Sequence, residues 1–229
     1  MEVKTLVVGP IETNCHIASC GKGECMIVDP GGDGGRISSY VKAAGLRVKY
    51  IVNTHSHCDH ILANPELKAE YPGAQILIHK LDAPALTDGA QNLSMFLGAS
   101  FVSPPADKTI SEGDTVEVGE CSFKVIHVPG HTPGHICLVY EPGAIFVVQG
   151  GIESKHRPGR GRGEAPAIFC GDTLFAGGIG RSDFPGGSHT TLVNGIRKKI
   201  FALPDDTIVY SGHGPVTTVG EEKRTNPFF

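Results

Sequence analysis

The sequence predicts a layered α/β fold, and three observations carry this. Strand-type runs precede segments of helical period in two successive rounds, the arrangement that builds sheets covered by helices. The chain has 31 Gly and 16 Pro, enough to close many tight turns yet short of the roughly 25–30% that marks a disordered chain. With 229 residues, 40% of them hydrophobic, it can bury a full core, in one large domain or two small ones.

The first round opens on three short apolar or β-branched runs, Lys4–Val8, Asn14–Ala18 and Glu24–Val28, set apart by Gly and Pro. The turn from Asp29 to Gly35 is glycine-rich but lacks the GxxxxGK[ST] or GxGxxG spacing of a phosphate cradle. Ile37, Tyr40, Val41 and Ala44 follow a helical period. Val48–Val52 reads as a buried strand that runs straight into Thr54-His-Ser-His-Cys-Asp-His60. Ile61–Tyr71 predicts a helix bent at Pro65, and Gln75–His79 a strand. Residues 80–110 are weakly patterned, with short helices expected at Ala83–Leu86 and Leu93–Leu97.

In the second round, Thr115–Val118 and Ser122–His127 read as paired strands leading into Val128-Pro-Gly-His-Thr-Pro-Gly-His135. His135–Tyr140 and Ala144–Val148 predict a hairpin across Glu141-Pro-Gly143. Residues 149–166 break the pattern and read as an exposed loop insertion rich in Gly and Arg. Its Lys155, Arg157, Arg160 and Arg162 fit either a flap that attracts an anionic substrate or a solvated insertion. Ala167–Gly171 resumes a strand and ends at Asp172. Leu192, Ile196, Ile200 and Leu203 give Thr190–Leu203 a helical spacing; Thr207–Tyr210 is the last strand, delivering Ser211-Gly-His-Gly214. A short helix start and a tail are expected beyond it.

Composition excludes several function classes. Twenty basic against 24 acidic residues leave a net charge of −4, with no basic field for nucleic acid. The longest apolar runs span only Ile136–Tyr140 and Ala144–Val148, whereas a membrane span needs about 20 residues. The first ten residues lack the basic start and long apolar stretch of a signal peptide. Seven Cys, an odd number without a CxxC pair, read as reduced thiols of a cytoplasmic protein.

The chemistry lies among the eleven His. His55, His57, Asp59 and His60 place four imidazole or carboxylate donors within six residues, after an apolar strand and among small or polar neighbours. Core histidines do not look like this; ligands for Zn, Mn or Fe do. Three further strand ends carry candidates beside Gly: His131, Asp172 and His213. Glycine permits the tight backbone that aims a short side chain at a fixed point.

In chain order, His55-x-His57-x-Asp59-His60, His131, Asp172 and His213 resemble the ligand series of the metallo-β-lactamase-fold superfamily, over nearly the whole chain from Asn14 to His213. The sequence is also similar to the glyoxalase II-like (hydroxyacylglutathione) hydrolases of the short bacterial type, supported by Gly171-Asp172-Thr-Leu-Phe175 and Gly180-Arg-Ser-Asp-Phe184. The resemblance implies a single domain over residues 1–229, an αββα sandwich of two mixed sheets flanked by helices, with metals at one sheet edge. It implies that His55, His57 and His131 bind one divalent ion, that Asp59, His60 and His213 bind a second, and that Asp172 bridges them. Zinc is expected first; iron and manganese suit the same donors.

The implied activity is hydrolysis of a small, anionic, glutathione-type thioester such as S-lactoylglutathione, by metal-bound hydroxide, with Asp59 and Asp172 in the catalytic apparatus. Asp29 and Thr54 are expected behind the ligands, as partners of their outer nitrogens. Arg181 reads either as a contact for a substrate carboxylate or as a surface arginine. Cys58 reads as a small filler or as an oxidation-sensitive thiol, and His16, His79, His127 and His135 as structural.

The resemblance has departures. Only sixteen residues follow His213, so the C-terminal helical extension that helps full-length glyoxalase II bind glutathione is not expected. The basic and aromatic contacts that follow the GDTLF stretch there are altered here. Persulfide dioxygenases share the ligand set and give the rival reading, a single Fe(II) on His55, His131 and Asp172. True β-lactamases lack an acidic bridging residue at the Asp172 position, and the superfamily's nucleases carry an added nucleic-acid-binding part.

Overall fold

A computed structural model of the chain describes residues 1–98, 100–143 and 165–229. Strands apolar on both faces need cover on both sides, and two sheets stacked between helices supply it. The first sheet sets β1 (Glu2–Val8), β2 (Thr13–Ser19), β3 (Glu24–Val28), β4 (Arg47–Val52), β5 (Gln75–His79) and β6 (Lys108–Ile110) side by side. It is antiparallel from β1 to β3 and parallel from β3 to β6. The helices α1 (Gly34–Ala43) and α2 (Asn64–Glu70) lie in the β3–β4 and β4–β5 crossovers.

The second sheet contains β7 (Thr115–Val118), β8 (Cys121–His127), β9 (Ile136–Tyr140), β10 (Ala167–Gly171), β13 (Ile208–Ser211) and β14 (Thr217–Thr218), in that spatial order. Among the described residues only its β10–β13 pair is parallel. A small hairpin, β11 (Leu174–Phe175) with β12 (Gly178–Ile179), follows β10. Helix α3 (His189–Gly195) runs on through a π-helical turn, Ile196–Ile200, and α4 (Val219–Thr225) closes the chain.

The alternation of side chains divides the core into three layers. Cys25 and Ile27 of β3 face Ile37 and Val41 of α1, while Met26 and Val28 face the other sheet. In β10, Phe169 points between the sheets onto Phe123, and Ile168 and Cys170 point outward to Leu192 and Ile196. This is the αββα sandwich that the sequence implied.

Four local expectations are corrected. Pro65 starts α2 rather than bending a longer helix, because in the first turn its missing N–H removes no helical bond; the residues before it form a 3₁₀ turn, Cys58–His60, and a loop. β6 lies in the stretch read as weakly patterned; it has three residues, only one of them buried, too few to show an alternation. Both neighbours of β9 are other strands, β8 and β10, where the sequence paired it with Ala144–Val148; that run lies outside the described residues, as does the expected insertion up to 164. Finally, the thiols are not all reduced. Cys20 and Cys121 form a disulfide with Cα atoms 5.6 Å apart, stapling the end of β2 to the start of β8 across 101 residues of sequence. That spacing leaves no sequence signal, because the two strands meet only when the sheets stack. Five cysteines remain free and buried.

Thiol titration of the oxidised protein in guanidinium should find five thiols per chain, and seven after reduction; seven without reduction would remove the staple. In the chain-entropy picture a loop of about 100 residues makes this bridge worth up to about 4.7 kcal/mol, so reductant or Cys121→Ser should lower the Tm.

Candidate metal centre

The strand directions bring the candidate ligands together. β3, β4, β8, β10 and β13 all end at one edge of the sandwich. Their following residues are Asp29, the Thr54–His60 turn, the 128–135 loop, Asp172 and His213. Two cross-sheet main-chain bonds hold this edge shut: Ile136 N–H to the Thr54 carbonyl at 2.9 Å, and Asn14 N–H to the Gly212 carbonyl at 2.7 Å. Glycine is required twice here. A Cβ on Gly212 would stand 2.2 Å from Asp172 Oδ1, and one on Gly171, whose φ is +44°, would stand 2.2 Å from Thr54 Oγ1.

Both expected donor triads result, His55 with His57 and His131, and Asp59 with His60 and His213, each within 4.8 Å; among the described residues Asp29, His55 and His60 form a third such group. Asp172 faces both expected triads. Its Oδ1 lies 3.3 Å from His60 Nε2, and its Oδ2 lies 3.6 Å from His131 Nε2 and 3.7 Å from His213 Nε2. Asp59 Oδ2 lies 3.4 Å from His60 Nε2 and 3.3 Å from His213 Nε2. All seven residues expected from the sequence therefore meet at one point. His213 is the most exposed of the candidate ligand imidazoles, at 26%, and marks the open side.

The residues behind the donors fix which nitrogen points inward. Asp29 accepts Thr54 N–H on Oδ1 and the Thr54 hydroxyl on Oδ2, both at 2.7 Å. The Thr54 hydroxyl has one proton and spends it on Asp29, so at 3.1 Å it accepts Nδ1–H of His55. His131 donates Nδ1–H to the Arg181 carbonyl at 2.7 Å. Each ring thus keeps its proton on Nδ1, and the bare Nε2 atoms face each other across 3.2 Å. Two lone pairs so placed repel unless a cation lies between them. His60 Nε2 and Asp172 Oδ1 are buried without a hydrogen-bond partner beside the same point. The donor set fits a divalent metal on both counts.

Asp29 sits in the left-handed region at φ +51°, a conformation rare outside Gly, and its carboxylate also lies 3.1 Å from His60 Nδ1. Arg181 meets the centre through its carbonyl, because its guanidinium is held by Asp183 through two bonds of 2.8 Å. His135 is no ligand: Nε2 accepts Asp172 N–H at 3.1 Å and Nδ1 faces the Thr173 hydroxyl, which sets the Asp172 turn. His16 bridges Thr5 and the Ser211 carbonyl, and His79 stacks on His127 at 4.3 Å. Cys58 is buried, its thiol pushed up to about 11 by burial, a filler rather than a thiolate.

Sequence reading missed Asp82. This buried carboxylate accepts Gly134 N–H at 2.6 Å, the Thr132 hydroxyl at 2.7 Å and Ser56 N–H at 3.2 Å, clamping the two loops that carry His57 and His131. Asn53 and Asn14 act similarly. Asn53 donates to the His60 carbonyl at 3.1 Å, and Asn14 to the Ser211 and Gly214 carbonyls at 3.0 and 2.8 Å. Asn14 lies within β2 and Asn53 directly after β4, and neither carries a motif. The one available signal was a polar residue inside a run otherwise destined for burial.

Electrostatics split the two triads. Burial, helped by neighbouring imidazoles, pushes His55 far below the ordinary histidine range and His57 down to about 3. Burial opposes charge on His60 too, but Asp172, Asp59 and Asp29 outweigh it and hold His60 well above that range. His213 is raised against its burial by the hydrogen bond to Asp59. Burial would raise Asp172, yet His60, His131 and His213 hold it far below the carboxylate range.

The comparisons agree with this geometry. The family model of the metallo-beta-lactamase superfamily matches residues 8–147 and 161–213, which span every candidate ligand. The chain belongs to the metallo-beta-lactamase superfamily. Among its relatives is the hydroxyacylglutathione hydrolase GloC of Haemophilus influenzae, 34% identical over all of this chain and 98% of that protein. Another is the human mitochondrial persulfide dioxygenase ETHE1, 32% identical over 89% of this chain and 66% of that one. Similar solved structures include BLEG-1, described as a B3 metallo-beta-lactamase (TM-score 0.85, 34% identity, 99% of both chains). TTHA1623, in a di-iron-bound form, is also similar (TM-score 0.79, 31% identity, covering 99% of this chain and 100% of that one).

Two predictions follow from the residues behind the donors. Asp82→Ala should weaken metal retention against a chelator by about 10–100-fold, and Asp82→Asn, which keeps one acceptor, by less. In the apoprotein His60 and His213 hold their protons to higher pH, so metal must displace them. Binding on their side should weaken as pH falls from 8 to 6, by up to about tenfold per pH unit for each proton displaced. On the His55–His57 side, whose rings are already neutral, no such loss should appear in competition titrations.

Proposed function

We propose that this protein is a binuclear metal-dependent hydrolase of a glutathione-type thioester. The observation that carries the reading is Asp172, which faces both donor triads, so that ions held by the two triads would share one carboxylate. Two divalent cations held there would acidify a water and polarise a thioester carbonyl. In this reading His55, His57 and His131 hold one ion, Asp59, His60 and His213 the other, and Asp172 joins them. The identity to GloC supports the thioester as substrate class. Zinc is the first expectation, and the di-iron form of TTHA1623 keeps iron in view.

The chain's own groups have defined tasks. In this reading Asp59, at the open side beside His213, both ligates an ion and orients the attacking hydroxide. Asp29 and Thr54 hold the His55 ring in one tautomer, and the Arg181 carbonyl does the same for His131. A thiolate leaves without prior protonation, so the site needs no strong general acid. The partner is a small thioester.

A second reading has its own support. His55, His131 and Asp172 form two-histidine, one-carboxylate contacts at 3.2 and 3.6 Å, which suit a single Fe(II), and the relative ETHE1 is a persulfide dioxygenase. One experiment separates the two. Protein of measured metal content is given S-lactoylglutathione under nitrogen and, in parallel, glutathione persulfide with O₂ uptake recorded. A β-lactam is the third substrate, because of the likeness to BLEG-1. Thioester hydrolysis with two metals per chain, reduced more than about 100-fold in Asp172→Ala, is the expected result. O₂ uptake with one iron per chain and no hydrolysis would overturn it.

A further inference from the structure

Next to the candidate centre lies a surface that is apolar where a polar one would cost nothing. Met95 and Phe96 are 63% and 77% exposed, on a 3₁₀ turn spanning Ser94–Leu97. The turn is built to present them. Buried Asn92 donates to the Phe101 carbonyl and accepts Ser94 N–H, and Ser94 Oγ accepts Phe101 N–H at 2.9 Å. Leu93 is held at φ +66°, in the left-handed region that favours Gly. The Asn92 carbonyl accepts Cys58 N–H at 2.8 Å, which ties this loop to the turn carrying His57, Asp59 and His60.

From there a line of rings leads inward. Phe96 lies 6.0 Å from Phe184, and Phe184 packs edge-on at 5.7 Å against His57. The Arg181 guanidinium lies 3.8 Å over the Phe184 ring with its charge met by Asp183, so it extends the flat surface without adding a free cation. The result is an apolar shelf that begins at a candidate ligand and runs outward. Exposed apolar patches on a stable scaffold mark binding surfaces. A protein partner seated here would plug the centre, whereas a substrate bound at the centre must pass over the shelf. A glutathione-type thiol is polar and charged along its length, which leaves the acyl group as the apolar portion.

We infer that the Phe96–Phe184 shelf binds the hydrocarbon part of the acyl group, so that the preferred substrates are thioesters of apolar acyl groups longer than lactoyl. This rests on the thioester reading of the site. The test uses metal-loaded protein and the slope of log kcat/KM against acyl length, for S-acetyl-, S-butanoyl- and S-hexanoylglutathione. Each methylene covered by the shelf should raise kcat/KM by about fourfold at most. Phe96→Ala and Phe184→Ala should flatten the slope, whatever they do to the absolute rate. A second readout needs no turnover: calorimetry should show S-hexylglutathione binding more tightly than S-methylglutathione, with the difference lost in Phe96→Ala.

Hydrolysis with a flat slope in the unaltered protein and no thioether difference would overturn the shelf and leave the thioester reading standing. Phe96-dependent thioether binding without hydrolysis of any thioester would overturn the reaction and retain the shelf. A slope unchanged by Phe96→Ala, with a sedimenting dimer that the same substitution dissociates, would assign the patch to a second copy of this chain and overturn the inference.

Discussion

The edge of this molecule is organised around a repulsion. Two imidazole nitrogens, their protons committed elsewhere, point lone pairs at each other from His55 and His131 across 3.2 Å. Neither ring can turn away. One is fixed through Thr54 to a buried carboxylate, the other to a main-chain carbonyl. Beside them His60 Nε2 and Asp172 Oδ1 are buried 3.3 Å apart, an ion pair without a well-aligned hydrogen bond. An imidazole lone pair left unpaired in a protein interior costs on the order of 1–3 kcal/mol. A positive charge held at the centre would satisfy all of these groups together.

That constraint explains where the rest of the structure spends its polar groups. Buried carboxylates and amides elsewhere along this edge do not point at the centre; they brace the loops around it. Asp82 spans the two loops of the first triad. Asn53 holds the turn of His60, and Asn14 reaches from the first sheet to the last ligand loop in the second. The strained backbone at Asp29 belongs to the same set: in that conformation its carboxylate has both Thr54 and His60 as neighbours. Apolar layers above and below supply the rigidity on which such placement depends.

The candidate ligands were legible in the sequence for a physical reason. A short donor aimed from a strand end needs Gly or another small residue beside it, so each carries a local signature, as in Gly-Asp172-Thr and Gly-His213-Gly. β3 and β5 were legible with their ends, because runs buried on both faces are continuous and turn residues bound them. What could not be read depends on residues far apart meeting in space. Asp82 resembles any loop aspartate until Ser56, Thr132 and Gly134 close on it. Cys20 and Cys121 resemble two isolated thiols. β9 finds its second neighbour in β10, on the far side of a long stretch of chain, a pairing that no turn signal marks.

The order of the strands has a consequence in time. The donors of the first triad, His55, His57 and His131, are spelled out before Asp172, and His213 comes last of all. A ribosome reading from the N-terminus therefore releases one trio of nitrogens while the second trio lacks its final member. Geometrically the two halves of the centre are near equals; biosynthetically they are elder and younger. The carboxylate that faces both is made in the interval between.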